Sequence, residues 1–368
     1  MCDYLFTSES VLEGHPDKVC DYISDSILDE YIDKDKKAKV AIETMLMKDK
    51  VIVAGEVNSK EKLQIKEIVR NSLKEIGYDN SDVGIDYRNC EIETKITLQS
   101  EELRQNIEKG YASDQGFMFG FACSETEELM PFGLLYANKL AESLAKVRKE
   151  NVLDYLEPDG KLQLTVKYED DKPVSIKNIL ISAQHKKYVQ MARMRKDIIN
   201  NVIIPTIPSK YITKDTQILI NPAGRFIIGG PIADVGLTGR KIVMDTYGGY
   251  ARHGGGAFSG KDPSKIDRSG AYMLRYIAKN IVAKKIAKKC ELQIGYSIGI
   301  EKPISMYVNT FGTSKMNEEK ILNYIIKNYD LSPNGIIKKL DLQKPIYKQT
   351  TNYGHFGKKF LPWEKIED

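Results

Sequence analysis

Six of the thirteen residues from 248 to 260 are glycine, and cations flank them: Arg240, Lys241, Arg252, Lys261, Lys265 and Arg268. Glycines let a backbone turn several N–H groups toward one point and approach a polyanion closely. The pattern predicts a strand at 241–247 leading in and a long helix leading out, whose N-terminal dipole favours an anion. These types at this spacing predict a polyphosphate site. Gly255 to Lys261 fits the spacing of a P-loop, but position 262 is Asp where that motif uses a hydroxyl on magnesium. The antiparallel hairpins expected nearby do not suit a parallel P-loop sheet either. Phosphate binding by a different kind of loop remains.

Two carboxylates offer a place for the counter-cation. Gly14-His15-Pro16-Asp17-Lys18 opens a helix, and Asp262-Pro263-Ser264-Lys265-Ile266-Asp267 stands in the corresponding place before a later one. Mg²⁺ takes few carboxylates and several phosphate oxygens, so acids at matching helix starts suit it. Alone, Asp17 also reads as an ordinary N-terminal helix charge. Asn221 to Pro231, Asp234 and residues 236–241 place Arg225, Phe226, an acid, Arg240 and Lys241 between glycine turns. Tight turns between strands explain that stretch equally well. Ser113-Asp114-Gln115-Gly116 reads as a turn before an apolar strand, after a polar stretch (100–112) that reads as a weak helix or a mobile connection, a lid being one form of it. His185, His253 and His355 have no metal spacing, which argues against zinc.

The elements that must position these residues form a pattern seen three times: helix, hairpin, helix, strand. First helices are predicted at 17–33, 131–149 and 265–289 from apolar residues at helical spacing, such as Val19, Ile23 and Ile27. Hairpins follow at 38–46/50–57, 161–168/173–183 and 290–299/304–311, turning at Lys48-Asp49, Asp170-Asp171 and Glu301-Lys302. Second helices are predicted at 60–76, ending at Gly77, then at 186–203, ending before Pro205, and at 317–328. Each copy closes on a strand-like segment. The fold class is therefore α+β: three similar α/β modules of antiparallel or mixed sheets with helices on one face. The boundaries read as 3–100, a lid connection at 101–112, 113–229, and 230–368 with the glycine-rich loop.

Composition agrees with an ordinary globular chain. Its 368 residues exceed one small core and imply two or three domains. The net charge of +4 comes from 55 basic and 51 acidic residues without a long basic block, which argues against a nucleic-acid partner. Cys2, Cys20, Cys90, Cys123 and Cys290 are scattered, with no CxxC pair, and read as reduced thiols in a cytoplasmic protein. No signal-like start and no apolar run long enough to span a membrane are expected.

Taken together, the motifs closely resemble the methionine adenosyltransferase family over nearly the whole chain. Phe6-Thr7-Ser8-Glu9-Ser10-Val11 with Gly14-His15-Pro16-Asp17-Lys18 is similar to its opening signature. Gly254-Gly255-Gly256-Ala257-Phe258-Ser259-Gly260-Lys261-Asp262 matches its glycine-rich signature. Residues 224–231, 236–241 and Tyr353-Gly354-His355-Phe356-Gly357 match as well. The resemblance implies three modules about a pseudo-threefold axis, and a dimer or dimer of dimers with active sites shared between subunits. It implies ATP contacts from His15, Asp159, Lys161, Arg225, Phe226, Asp234, Arg240, Lys241, Ala257 and Lys261. Methionine would meet Glu56, Gln99, Asp234, Lys265 and Ile298, and Asp114 would help place the substrates. Catalytic roles would fall to His15, Lys161, Arg240, Lys241, Lys261 and Asp114. Two Mg²⁺ ions per active site would be held by Asp17 and Asp267, and one K⁺ per subunit by Glu43.

The implied reaction is attack of the methionine sulfur on C5′ of ATP, then hydrolysis of the triphosphate. On local chemistry alone, a Mg²⁺-dependent ATPase or small-molecule kinase, or a nucleotide-binding module without chemistry, stays open. Two departures concern the lid. The family's Gly-Ala-Gly-Asp-Gln-Gly is here Tyr111-Ala112-Ser113-Asp114-Gln115-Gly116, and the preceding stretch is several residues short and lacks the family's Ser-Pro-Asp-Ile.

Overall fold

The computed structural model describes residues 3–80, 82, 84–98 and 110–367. Three copies of one pattern follow each other, and each copy opens on a strand. The first runs β1 (Tyr4–Val11), α1 (Pro16–Lys34), β2 (Lys39–Met47), β3 (Lys50–Asn58), α2 (Ile65–Ile76) and β4 (Glu91–Thr97). The second runs β5 (Gly116–Cys123), α3 (Phe132–Lys149), β6 (Leu156–Glu169), β7 (Lys172–His185), α4 (Met191–Ile198) and β8 (Gln217–Ile220). The third runs β9 (Gly236–Leu237), α5 (Ile266–Ala283), β10 (Lys289–Tyr296), β11 (Ser305–Asn309) and α6 (Glu318–Asn328), and closes on a helix, α7 (Pro333–Lys339), instead of a strand.

The opening strands are exchanged in a cycle. β1 pairs with β6 of the second hairpin, β5 with β10 of the third, and β9 with β2 of the first, all antiparallel. Sheet orders are β9-β2-β3-β4, β1-β6-β7-β8 and β5-β10-β11. β4 and β8 join in parallel, so two sheets are mixed. This cyclic exchange is the connectivity expected of three modules around a common axis.

Side-chain alternation explains how each sheet meets its helix. Val40, Ile42, Thr44 and Leu46 of β2 are buried with Val19, Ile23 and Ile27 of α1, while Glu43 between them points to the open face. α5 packs on β5 and β10, and α3 on β1 and β6. The turn at Asp170-Asp171 has both residues at positive φ, 48° and 60°, the twist that suits a two-residue hairpin. Gly77 ends α2 in the left-handed conformation, φ 104°.

Local pattern misled in several places. Residues 242–245 form a helical turn, not a strand, with Asp245 N–H bonded to Lys241 O at 2.9 Å and Val243 exposed. α5 stops at Ala283 because the chain bends through Lys285 at φ 58° to begin β10. The second helix of the second copy starts at 191, not 186. It then runs through a π-helical turn (Ile199–Ile203) and past Pro205 to Thr206. Pro205 has no N–H to continue the ladder, but Ile204 N–H bonds Ile199 O before it and Ile207 N–H bonds Ile203 O after it, so the helix ends one residue later.

Candidate active site

α1 carries aspartates every four residues from Asp17 to Asp33, and four of them, Asp17, Asp21, Asp25 and Asp29, hold other parts of the chain. This spacing lays a stripe of carboxylates along one side of a helix, and each of these four accepts backbone N–H groups from another segment. Asp17 takes Leu237 N–H at 2.9 Å, Asp21 takes Gly239 at 2.8 Å and Asp25 takes Gly260 at 2.8 Å. Asp29 takes both Tyr347 at 2.9 Å and Lys348 at 2.8 Å. One helix thus fixes the 236–241 strand end, the glycine-rich loop and the C-terminal segment. The close approach needs Gly236, where an added Cβ would lie 2.2 Å from Pro16 O.

Buried cations balance the stripe. Arg268 binds Asp25 through two 2.7 Å bonds, with both side chains fully buried. Lys18 lies between Asp21, at 2.9 Å, and Asp245. Burial opposes the Lys18 charge, but these two carboxylates hold its pKa above the usual lysine value.

Around Asp17 lies the first group of predicted residues. Lys241 Nζ is 2.5 Å from Asp17 Oδ2, and Arg240 Nε is 3.6 Å from Oδ1. His15 Nδ1 accepts the Asp17 N–H at 3.2 Å, so a neutral His15 carries its proton on Nε2. Burial first, then the Lys241 charge, lowers the His15 pKa to about 4. Lys161, Arg240 and Lys241 line one open cleft of about 520 Å³. Asp159 is buried with Oδ2 accepting Gly230 N–H at 2.8 Å, and burial raises its pKa to about 6. Asp234 is exposed and bonds its neighbour Val235 N–H at 2.8 Å. Arg225 is turned to Lys187 O at 2.8 Å, and Phe226 is fixed by His185 through its backbone.

The second group surrounds Asp267, which stands second in α5 as Asp17 stands second in α1. Lys261 Nζ is 2.6 Å from Asp267 Oδ2. Glu43, Glu56, Ala257 and Lys261 line a pocket of about 280 Å³. Lys265 pairs at 2.5 Å with Asp262, a buried carboxylate that also accepts Val40 N–H at 2.8 Å. Asp262 therefore ties the loop to β2, which accounts for Asp at the position where a P-loop has a hydroxyl. Ile298 and Asp114 flank a backbone pairing: Ala112 bonds Ile300 O, and Gly299 bonds Ala112 O, each at 3.0 Å. Gln99 lies outside the described residues, as do residues 101–109 of the expected lid connection.

At the end of the lid, neither Tyr111 nor Ser113 has positive φ, so this conformation does not require glycine at either position; Gly110 does, at 82°. Ser113 Oγ instead bonds Ser264 O at 3.3 Å, just ahead of α5.

The two groups touch where Gly239 faces Ala257, but among the described residues no ion pair joins them. One chain thus presents two separate groups, each a carboxylate with a lysine beside a basic or glycine-rich segment. Among the described residues, no three His, Cys, Asp or Glu side chains gather into a metal cage. Single carboxylates beside a polyphosphate site are nonetheless the donors Mg²⁺ uses, and Lys241 and Lys261 mark where positive charge is favoured beside them. Glu43, an exposed carboxylate beside Glu56, is an oxygen donor suited to K⁺. The four described cysteines are free and buried, and no described helix is long and apolar enough to cross a membrane.

Comparison with known families gives three matches in order along the chain. The S-adenosylmethionine synthetase N-terminal domain matches residues 3–101, the central domain 109–226 and the C-terminal domain 228–365. The chain belongs to the S-adenosylmethionine synthetase family. It is 49% identical to the S-adenosylmethionine synthase of Sorangium cellulosum over 99% of its own length and 88% of that protein. It is 50% identical to the S-adenosylmethionine synthase of Finegoldia magna, covering 100% of this chain and 98% of the relative. Within this synthetase fold, the residues missed by motif reading were Asp21, Asp25 and Asp245, and Arg268, expected among the cations facing the phosphates, is instead fully buried against Asp25. The four-residue aspartate spacing of α1 was the available signal.

Proposed function

We propose that the chain is a methionine adenosyltransferase, converting ATP, L-methionine and water into S-adenosyl-L-methionine, phosphate and diphosphate. One observation carries this reading: Asp17–Lys241 and Asp267–Lys261 are matched carboxylate–lysine pairs at equivalent helix starts, next to basic and glycine-rich segments. That is a cradle for a polyphosphate with no poised base.

The chemistry needs none. A thioether sulfur has no proton to lose. Its lone pair forms the bond to C5′ as the C5′–O bond breaks, and the triphosphate leaves with that electron pair. The protein's work is to align sulfur, carbon and oxygen and to stabilise the charge growing on the triphosphate. Lys161, Arg240, Lys241 and Lys261 would hold the phosphates. Neutral His15 would donate Nε2–H to the departing oxygen. Arg225, Phe226, Asp159 and Ala257 would hold the nucleotide, Asp234 would serve both substrates, and Glu56, Gln99, Lys265 and Ile298 would hold methionine, with Asp114 helping to place them. Mg²⁺ held by Asp17 and Asp267 would neutralise phosphate charge, and K⁺ at Glu43 would support the site's shape. Water then cleaves the triphosphate to phosphate and diphosphate while Lys261 and Arg240 clamp it.

The division into half-sites supports self-association, as a dimer or dimer of dimers in which each site combines the Asp17 group of one copy with the Asp267 group of another. The buried thiols fit a cytoplasmic setting. The test is incubation with ATP, methionine, Mg²⁺ and K⁺, with products identified by mass spectrometry. Methionine-dependent S-adenosylmethionine with phosphate and diphosphate is expected. ADP would indicate a kinase or ATPase instead, and no turnover a binding module.

A further inference from the structure

Among the described residues, two of the three copies finish their sheet with a further strand and the third does not. β4 runs parallel to β3, and β8 runs parallel to β7. The third sheet repeats the two antiparallel pairings, β5 with β10 and β10 with β11, and ends there. The chain after α6 is fully described as far as residue 367 and turns into α7 without returning to β11. Beside β11 lies a cleft of about 560 Å³, between Ser305 and Met306 on one wall and residues 326–332 on the other. Among the described residues, the place filled by a strand in two modules is open in the third.

The slot has the features of a strand acceptor. An edge strand presents unpaired N–H and C=O groups to another chain. Ile304 and Ile326 at its walls are 62% and 59% exposed. Lys302 and Lys327 are exposed on its rim, and among the described residues neither forms an ion pair. The rim's Asp330 carboxylate is occupied by Ser332 N–H at 3.0 Å.

We propose that this slot binds an extended peptide of a partner protein, with alternating apolar and acidic residues, as a fourth strand parallel to β11. The filled slot beside β3 shows the matching chemistry. β4 reads Glu91-Ile92-Glu93-Thr94-Lys95-Ile96-Thr97, with Ile92 buried, and Lys50 at the head of β3 holds Glu91 and Glu93 at 2.9 Å each. Lys302, just before β11, offers the same charge for an acidic partner, and Lys327 adds a second. Main-chain bonds to β11 supply affinity, while the two isoleucines and two lysines select the sequence. No slot residue belongs to either half-site, so the inference stands apart from the adenosyltransferase reading.

The test uses the full chain with methyl-labelled isoleucines and a capped peptide copying residues 91–97. Saturable shifts at Ile304 and Ile326 are expected, weakened about tenfold or more by Lys302→Glu with Lys327→Glu. They should vanish when alternate peptide amides are N-methylated, which removes the donors a strand needs while leaving its side chains intact. Three results would overturn the proposal: no saturable shifts, shifts indifferent to the charge reversal or to N-methylation, or shifts that track protein concentration without peptide. The last would mean that a second copy of this chain fills the slot. The exposed positions of both lysines keep the fold out of question, and a circular dichroism melt of the double variant verifies it.

Discussion

Asp21 and Gly239 are joined by a 2.8 Å hydrogen bond that ties the middle of α1 to the strand end delivering Arg240 and Lys241. Asp21 touches no candidate substrate group, yet it sets where Arg240 and Lys241, the two cations proposed to hold phosphate, stand. Asp21→Ala should orphan the Gly239 N–H and leave Lys18 with Asp245 alone. A loss of about 1–3 kcal/mol in stability is expected for such an unsatisfied group. ATP KM should rise more than methionine KM, because the displaced segment carries Arg240 and Lys241. Asp21→Asn keeps an acceptor for Gly239, so it should recover most of the KM. Equal effects on both substrates would reduce Asp21 to a purely structural role.

Asp17→Asn and Lys261→Ala should cut turnover by about 10²–10³-fold each, the scale for removing one group that stabilises developing charge. Both should stay folded. Asparagine still accepts the Leu237 N–H through its amide oxygen, and Asp267, left alone, is 27% exposed and can be solvated. Product formation followed alongside thermal melts checks this. Near-normal turnover in either variant would remove that residue from the site.

Gly256 should tolerate no side chain. An added Cβ would lie 2.3 Å from Asp267 Cγ, so Gly256→Ala must push that carboxylate aside. A displacement near 1 Å in a positioned group can cost about 10²-fold in rate. The expected signature is a fall in kcat with a higher Mg²⁺ requirement and little change in Tm.

The elements were legible where periodicity was strong. α1, the first two hairpins and the end of α2 follow from apolar spacing and from the turn residues Asp170, Asp171 and Gly77. The cyclic exchange of β1, β5 and β9 was not, because local pattern says nothing about which distant hairpin a strand will join, and β9 is only Gly236–Leu237. Residues 242–245 misled for a related reason. Ile242-Val243-Met244 reads as a strand, but the Lys18 contact to Asp245 and the pinned Gly239 make the chain turn there. The motif residues of the candidate site could be picked out by type. Their separation into a group around Asp17 and a group around Asp267 could not, since it depends on which loop each aspartate of α1 holds.

Asp159 gives a pH prediction of definite sign. Burial raises its folded pKa from 3.8 to about 6. Between those values the folded state binds more protons than the unfolded state, so this group's contribution to stability grows as pH falls from about 6 toward 4 and is least favourable above about 6. Asp159→Asn removes the titration while keeping an acceptor for Gly230 N–H. The Tm difference, variant minus parent, should therefore become more positive as pH rises from 4 to 7. A flat difference would mean that Asp159 titrates normally.

The half-sites make the strongest quantitative prediction. If each active site joins the Asp17 group of one copy to the Asp267 group of another, Asp17→Asn and Lys261→Ala damage opposite halves. A mixed dimer then has one site with both defects and one site with neither. Random pairing makes half of the dimers mixed, so co-expressed variants should recover about a quarter of the parent activity in a two-fold assembly. Each variant alone should stay near its own low rate. If both groups served one site within a single chain, every site in the mixture would carry a defect and no activity would return. Tagging the two variants differently and assaying the doubly purified species sharpens the reading: the mixed dimer should then show about half of the parent rate, from one intact site of two.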